Sequence, residues 1–110
     1  MRAEGRLLLA LAVIVPLAAG AEIPLQRQQQ LRHLLRHDCG SCHGMQLTGG
    51  LGPPLTPAAL AAKPAPALAA TISHGRPGTP MPPWSGLVSA EEARWLADLM
   101  KNGTDTESKE

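Results

Sequence analysis

Two cysteines and a histidine stand close together in this 110-residue chain, in the order Cys39-Gly40-Ser41-Cys42-His43. The spacing C-x-x-C-H is the pattern by which c-type haem is attached to a polypeptide. Two thiols about one helical turn apart can each form a thioether with a haem vinyl group, and the adjacent imidazole can then ligate the iron. We therefore predict one covalently bound haem c, attached at Cys39 and Cys42, with His43 as an iron ligand.

Other uses of the cysteine pair fit the sequence less well. A structural zinc site needs four ligands, and the chain has no second cysteine pair. A thioredoxin-like redox pair belongs after a strand at the start of a helix, and no alternating run here predicts a strand. A plain disulfide would leave His43 without a role.

The chain is poor in large core-forming side chains. It has no Phe and no Tyr, and Trp84 and Trp95 are its aromatic residues. A chain of this size usually needs a disulfide, a metal or a cofactor to be stable. A large, flat, apolar cofactor would fill the missing centre.

The first residues have the pattern of an export signal. A basic start with Arg2 and Arg6 precedes the apolar run 7–15, and small residues lead to Ala21. Pro16 interrupts the run before it reaches the ~20 apolar residues that a membrane-spanning helix needs. We predict cleavage after Ala21 and a periplasmic protein without a membrane anchor.

The chain is accordingly divided into a signal peptide at 1–21, one haem-binding domain at 22–103 and a flexible polar tail at 104–110. After cleavage the basic and acidic side chains are equal in number. A nucleic-acid-binding protein would need a basic excess, so this class of function is excluded. We expect a monomer.

Local patterns predict an all-α fold. Thr56-Pro57 is typical of a helix start, Gly75 of a helix end, and Ser89 with Glu92 of a capping box. Apolar residues at helical spacing fill the segments between loops rich in glycine and proline. The predicted helices are 24–38, 58–62, 66–74 and 90–101.

An electron-carrying haem needs a second axial ligand. Met81 lies on a loop stiffened by three prolines, whereas Met45 is too close to His43 to reach the far face of a haem, and Met100 has the spacing of a core residue. We predict Met81, because histidine–methionine ligation is a standard c-type arrangement that raises the reduction potential. His74 is the alternative, since two histidines can also ligate haem iron.

Trp84 has two interpretations of equal weight. Its indole N–H could donate a hydrogen bond to a haem propionate, or its ring could cover the haem edge. Trp95 is predicted to be a core residue that contacts the first helix.

Two sets of polar residues on the first helix are predicted to face solvent. Arg27, Arg32 and Arg36 could dock an acidic partner, but such a stripe is more often a solvated helix face. His33 and His37 have the i, i+4 spacing of metal ligands, yet no third ligand is in view.

Taken together, these residues resemble the class I cytochromes c over nearly all of 22–103. The matching features are the C-x-x-C-H motif, Gly52-Pro53, Met81-Pro82 and a final amphipathic helix. The resemblance implies three to four short helices around one haem, with the carbonyl of Pro53 accepting the N–H of the His43 imidazole. It also implies a one-electron carrier rather than an enzyme.

Three segments are similar, more narrowly, to the NirC type: 38–45, 49–53 and 75–84. These are small periplasmic cytochromes encoded beside the haem-d-containing nitrite reductase of denitrifying bacteria. The resemblance implies electron delivery to that reductase, or alternatively a part in maturing its haem d. A gas-binding haem protein with a labile sixth ligand is a further alternative.

Overall fold

The computed structural model describes residues 3, 5, 8–15 and 22–104. The helices are α1 (Leu25–Leu34), α2 (Gly40–His43), α3 (Pro57–Leu60), α4 (Ala65–His74) and α5 (Ala90–Asn102), with a π-helical turn at Leu35–Cys39 between α1 and α2. No strand occurs within these described ranges. The predicted all-α fold is confirmed.

The two ends of the predicted domain division lie largely outside these ranges. The proposed cleavage site at Ala21 and the tail residues 105–110 are not among the described residues. The signal peptide and the tail therefore stay predictions. In the described part of the chain, no helix combines the length and the apolar character needed to cross a bilayer.

The first helix extends further than the sequence predicts. Backbone angles remain right-handed helical where α1 meets the π-turn and where the π-turn meets α2, so 25–43 is one continuous rod. The prediction that this helix ends at residue 38 is wrong, because the haem-attachment motif continues it. The rod stops at Gly44, whose φ of 91° leaves the helical region.

Helix α3 is held at both ends. Thr56 Oγ1 accepts the backbone N–H of Ala59 at 3.3 Å, which satisfies a donor at the helix start. At the other end, Lys101 Nζ lies 3.0 Å from the carbonyl oxygen of Leu60 and also donates to the carbonyl of Lys63. A cation at a helix C-terminus is favourable, so Lys101 ties α5 to the end of α3.

Helices α4 and α5 begin and end close to the predicted residues. Gly75, with a φ of 68°, ends α4. The capping box of α5 is present: Glu92 N–H donates to Ser89 Oγ at 3.1 Å, and Ser89 N–H donates to Glu92 Oε1 at 2.8 Å. Gly103, at φ 95°, follows the last turn.

The core is small and aliphatic. Leu31 of α1 and Leu96 of α5 are its largest fully buried side chains, and Trp84 and Trp95 pack against it while remaining partly exposed. The buried cluster consists of Leu31, Leu35, Leu47, Leu60, Ile72, Val88, Ala93, Leu96 and Met100.

The prediction that the arginines of α1 face solvent is wrong for Arg27 and Arg32, which are only partly exposed. Arg27 Nε lies 2.5 Å from Glu92 Oε2, and its Nη2 donates to the carbonyl of Leu87 at 2.8 Å. The guanidinium carbon of Arg32 lies 5.2 Å from the centre of the Trp95 ring, within the range of a cation–π contact. Both side chains fasten α1 to α5, because the final helix crosses the first at these residues.

Candidate haem site

A cavity of about 560 Å³ lies beside the helical rod and brings the predicted site residues together. Its volume falls within the ~300–1,000 Å³ usual for ligand pockets. The six residues that the sequence singles out all line it: Cys39, Cys42, His43, Pro53, Met81 and Trp84. Cys39, Cys42 and His43 belong to the rod. Pro53, Met81 and Trp84 belong to two loops that are rich in glycine and proline.

Much of the remaining wall is apolar. Leucine and isoleucine side chains from α1, the π-turn, α4 and α5 line it, namely Leu34, Leu35, Leu68, Ile72 and Leu96. An aliphatic surface of this kind excludes water and favours a large apolar ligand. The residues present therefore fit a haem group.

No disulfide joins Cys39 and Cys42. Burial, reinforced by the charge of Asp38, raises the pKa of the Cys39 thiol to about 11. Catalytic redox cysteines have the opposite property, a lowered pKa that supplies the reactive thiolate. The environment of Cys39 therefore disfavours a thioredoxin-like pair. Over the described residues, no cluster of three or more potential His, Cys, Asp or Glu ligands could hold a zinc ion.

The His43 ring is oriented by a backbone carbonyl. Its Nδ1 lies 2.7 Å from the carbonyl oxygen of Pro53. A proton on Nδ1 donates to that oxygen and leaves Nε2 unprotonated, which is the form that ligates a metal. The contact implied by the family resemblance is thus present in the geometry, while the role of Pro53 toward haem stays a prediction.

The loop after the motif folds back onto the end of the rod. Gly52 N–H donates to the carbonyl of Cys42 at 2.7 Å, and Gly49 N–H donates to the carbonyl of His43 at 2.8 Å. These bonds satisfy carbonyls that a helix end leaves without partners. A β-carbon on Gly52 would lie 2.7 Å from Nδ1 and from Cε1 of His43, so the backbone fits against the ring only because this residue is glycine.

The loop that carries Met81 is closed by its own hydrogen bonds. Arg76 N–H donates to the carbonyl of Met81 at 3.2 Å. Thr79 Oγ1 donates to the carbonyl of Arg76 at 2.6 Å and accepts the N–H of Met81 at 3.3 Å. Thr79 was not predicted as a site residue, although a threonine two residues before Met81 is placed to form such a turn.

The far end of this loop is attached to α4. The backbone N–H of Trp84 donates to the carbonyl of Ile72 at 3.0 Å, and the backbone N–H of Ser85 donates to the carbonyl of Ser73 at 3.2 Å. These bonds place the Trp84 side chain in the cavity wall. Hydrogen bonding to a propionate and covering of the haem edge both stay predictions for its indole.

The other candidate iron ligands differ from Met81 in their exposure or in the cavity that they line. His74 is exposed at the end of α4 and is not part of the cavity wall. Met45 is 55% exposed and lines a separate cavity. Met100 also reaches the wall but is 4% exposed within the core cluster. Met81 lines the cavity without being part of the core cluster, and its role as the second iron ligand stays a prediction.

Comparison with known proteins agrees with this site. The family described as "Cytochrome C oxidase, cbb3-type, subunit III" matches residues 26–100. Cytochrome c55X of Pseudomonas aeruginosa is 56% identical over 97 residues, covering 88% of this chain and 82% of the relative. Cytochrome c55X of Paracoccus denitrificans is 48% identical over 101 residues, covering 91% and 98%.

Solved structures point the same way. A c-type cytochrome NirC superposes with a TM-score of 0.72 at 62% identity, over 74% of this chain and 95% of that one. Part of the structure titled "Dihydro-heme d1 dehydrogenase NirN in complex with DHE" also matches, with a TM-score of 0.59 at 33% identity, over 64% of this chain and 15% of NirN.

The fold and the attachment motif define a c-type cytochrome, the class of haem proteins that carry electrons. Within that class, the chain belongs to the NirC-type class I cytochromes c, together with the relatives named cytochrome c55X.

Proposed function

We propose that this protein is a periplasmic one-electron carrier that donates electrons to haem-d-containing nitrite reductase in denitrification. Cys39 and Cys42 would attach one haem c through thioethers, and His43 and Met81 would ligate its iron. The observation that carries the proposal is that all four side chains line one apolar cavity. When bound there, haem supplies a reversible one-electron iron couple.

Residues of the protein would keep electron transfer fast and the reduction potential of the haem high. Pro53 holds the His43 ring in one orientation and one tautomer, since its carbonyl lies 2.7 Å from Nδ1. The bonds of Thr79 hold the Met81 backbone, and the neighbouring prolines limit its movement. Both ligands can then remain in place when the charge changes. The aliphatic wall disfavours the more highly charged oxidised state.

The choice of partner rests on the likeness to NirC and on the family resemblance. A carrier of this kind binds no substrate, so we propose that the protein is not an enzyme. Its periplasmic location rests on the predicted export signal at 1–21. Equal numbers of acidic and basic side chains in the remaining chain are consistent with brief docking to another redox protein.

A second candidate function follows from the likeness to NirN, which is titled a dihydro-haem d1 dehydrogenase. A dehydrogenase removes electrons from its substrate, and a one-electron carrier can receive them. The protein would then serve haem d maturation rather than nitrite reduction. Both candidate functions use the same site and the same iron chemistry.

Two measurements test the haem attachment and the iron ligation that both candidate functions require. The haem should stay with the chain on acid–acetone extraction, and the oxidised protein should show the near-infrared band of sulfur-ligated haem. Added carbon monoxide should barely change the reduced spectrum, because Met81 would already ligate the iron. Haem that extracts freely would refute covalent attachment, and a large immediate carbon monoxide effect would favour the gas-binding alternative.

Gene deletion in a denitrifying host separates the two candidates. An electron donor predicts that the deletion strain contains nitrite reductase fully loaded with haem d but short of electrons. A maturation factor predicts reductase that lacks haem d. Anaerobic mixing of the reduced cytochrome with purified reductase then measures the transfer directly, and no faster oxidation than in buffer would contradict the donor role.

A further inference from the structure

Two exposed histidines face each other on the helical rod, outside the haem cavity. His33 lies in α1 and His37 lies in the π-turn, one nominal turn further along. Their ring centres are 4.2 Å apart, with the ring planes inclined at 40°. Neither residue lines the haem cavity, so the proposed electron carrier has no use for this pair.

The ring separation is shorter than that of two imidazoles on one zinc ion. Zinc–nitrogen bonds are about 2.0–2.1 Å long, and zinc coordination is usually tetrahedral. With each ring centre about 1 Å beyond its nitrogen, two imidazoles at the tetrahedral angle have centres ~5 Å apart. The observed 4.2 Å is within about 1 Å of this value. Side-chain rotations that part the two rings by this amount would let both chelate one cation.

The π-turn contributes to this spacing. In a regular α-helix, residues four apart are neighbours but are offset around the axis. A π-turn contains more residues per turn, so position i+4 moves back toward the position directly above i. The π-turn begins at Leu35, between the two histidines. It places His37 more nearly over His33 than a regular helix would.

The neighbouring cations are directed elsewhere. The Arg32 guanidinium lies over the Trp95 ring, 5.2 Å from its centre. Arg32 and Arg36 both line the second cavity, which is bounded by Leu47 and Leu99 and includes neither histidine. The residue after His37 is Asp38, whose carboxylate is exposed. The local arrangement therefore does not oppose a bound cation.

We propose that His33 and His37 form a two-histidine site for one divalent transition-metal ion of the zinc type, with water completing the coordination. Imidazole nitrogen is a preferred ligand of such ions. No third protein ligand is needed, and none is offered by the described residues. Because the ion bridges α1 and the π-turn, its binding stabilises the part of the rod that leads into Cys39.

The test is a calorimetric titration of Zn²⁺ into the oxidised, haem-loaded protein. Zinc is chosen because it has no redox chemistry and cannot exchange electrons with the iron. In that form the thiols are consumed as thioethers and His43 is engaged, so these groups do not compete. We expect one ion per chain in the native protein, and loss of that binding in both His33→Asn and His37→Asn.

His74→Asn is the matched control, because His74 is also exposed but stands alone at the end of α4. This variant should bind Zn²⁺ as the native protein does. Helical circular dichroism and the haem spectrum verify that each variant is folded. Zinc should also raise the melting temperature of the native protein and of His74→Asn, but not of His33→Asn. Absence of one-site binding in the native protein, its survival in both pair variants, or its loss in His74→Asn would overturn the proposal.

Discussion

Gly52 and His43 are in such close contact that no side chain fits between them. A β-carbon at Gly52 would lie 2.7 Å from two atoms of the imidazole ring. The same glycine donates its N–H to the carbonyl of Cys42, so it cannot move away without breaking the bond that folds the loop onto the rod. The position of the His43 ring is therefore fixed from two sides. Pro53 holds it through a hydrogen bond, and Gly52 holds it through direct contact.

Gly52→Ala should displace the His43 ring and destabilise the protein by about 1–3 kcal/mol, the usual cost of overpacking. The measurement is denaturant unfolding, followed by the haem absorption and by circular dichroism. Gly86→Ala is the control, since a β-carbon at Gly86 meets no atom within 4 Å. Equal stability of the two variants would contradict this account of the contact.

Thr79→Val should weaken Met81 ligation by about 1–3 kcal/mol, the combined net value of two typical hydrogen bonds, because it removes both bonds of the hydroxyl. The near-infrared sulfur band should decline and carbon monoxide should compete more readily for the iron. Thr79→Ser keeps the hydroxyl and should behave as the native protein. A merely structural role for Thr79 would lower the unfolding midpoint and leave the spectrum unchanged.

Glu92→Gln should lower stability near neutral pH and should matter less in acid. The hydrogen bond from Arg27, assisted by the Ser89 cap, lowers the pKa of the Glu92 carboxyl in the folded protein. A lowered folded pKa contributes stability above the unfolded value of about 4.3, and this stability is lost as the pH falls through the folded pKa. The difference in unfolding free energy between native protein and variant should therefore shrink below about pH 4.

Ser89→Ala separates the helix cap from the charge. Loss of this N-cap should cost about 1 kcal/mol, most of it independent of pH between 5 and 8. A Glu92→Gln effect that stays constant down to acid pH would argue against the ion pair with Arg27.

Lys101→Met should destabilise the protein by about 1 kcal/mol, because the carbonyls at the end of α3 lose a charged donor. Lys63→Met is the control: it also removes one positive charge, but the backbone carbonyl of Lys63, rather than its side chain, takes part in this contact. Thermal unfolding of the haem-loaded variants is the measurement. Equal losses in both variants would mean that net charge, not the contact, is responsible.

Features that depend on neighbouring residues were predictable from the sequence. The capping box of α5, the Thr56-Pro57 start of α3 and the Gly75 end of α4 all follow from backbone chemistry within a few positions. The C-x-x-C-H motif is likewise local, because its spacing itself encodes the attachment chemistry.

Features that depend on distant residues were not predictable. Arg27 and Glu92 are separated by 65 positions, and nothing in either neighbourhood indicates that they pair. The π-turn was missed for a different reason: the pattern of Leu31, Leu34 and Leu35 continues an ordinary helix and gives no sign of the π-helical turn at Leu35–Cys39. The Thr79 turn is local, but its importance appears only when Met81 is seen in the cavity wall.

The unbroken rod from residue 25 to residue 43 constrains the evolution of this protein in a particular way. One end carries the Arg27 contact with α5 and the other end presents Cys39, Cys42 and His43 to the cavity. A residue inserted between them would rotate one end against the other by about 100°. We therefore expect insertions and deletions to be accommodated in the loops that follow Gly44 and Gly75 rather than within the rod. Homologous chains should differ in the composition of this segment more readily than in its length.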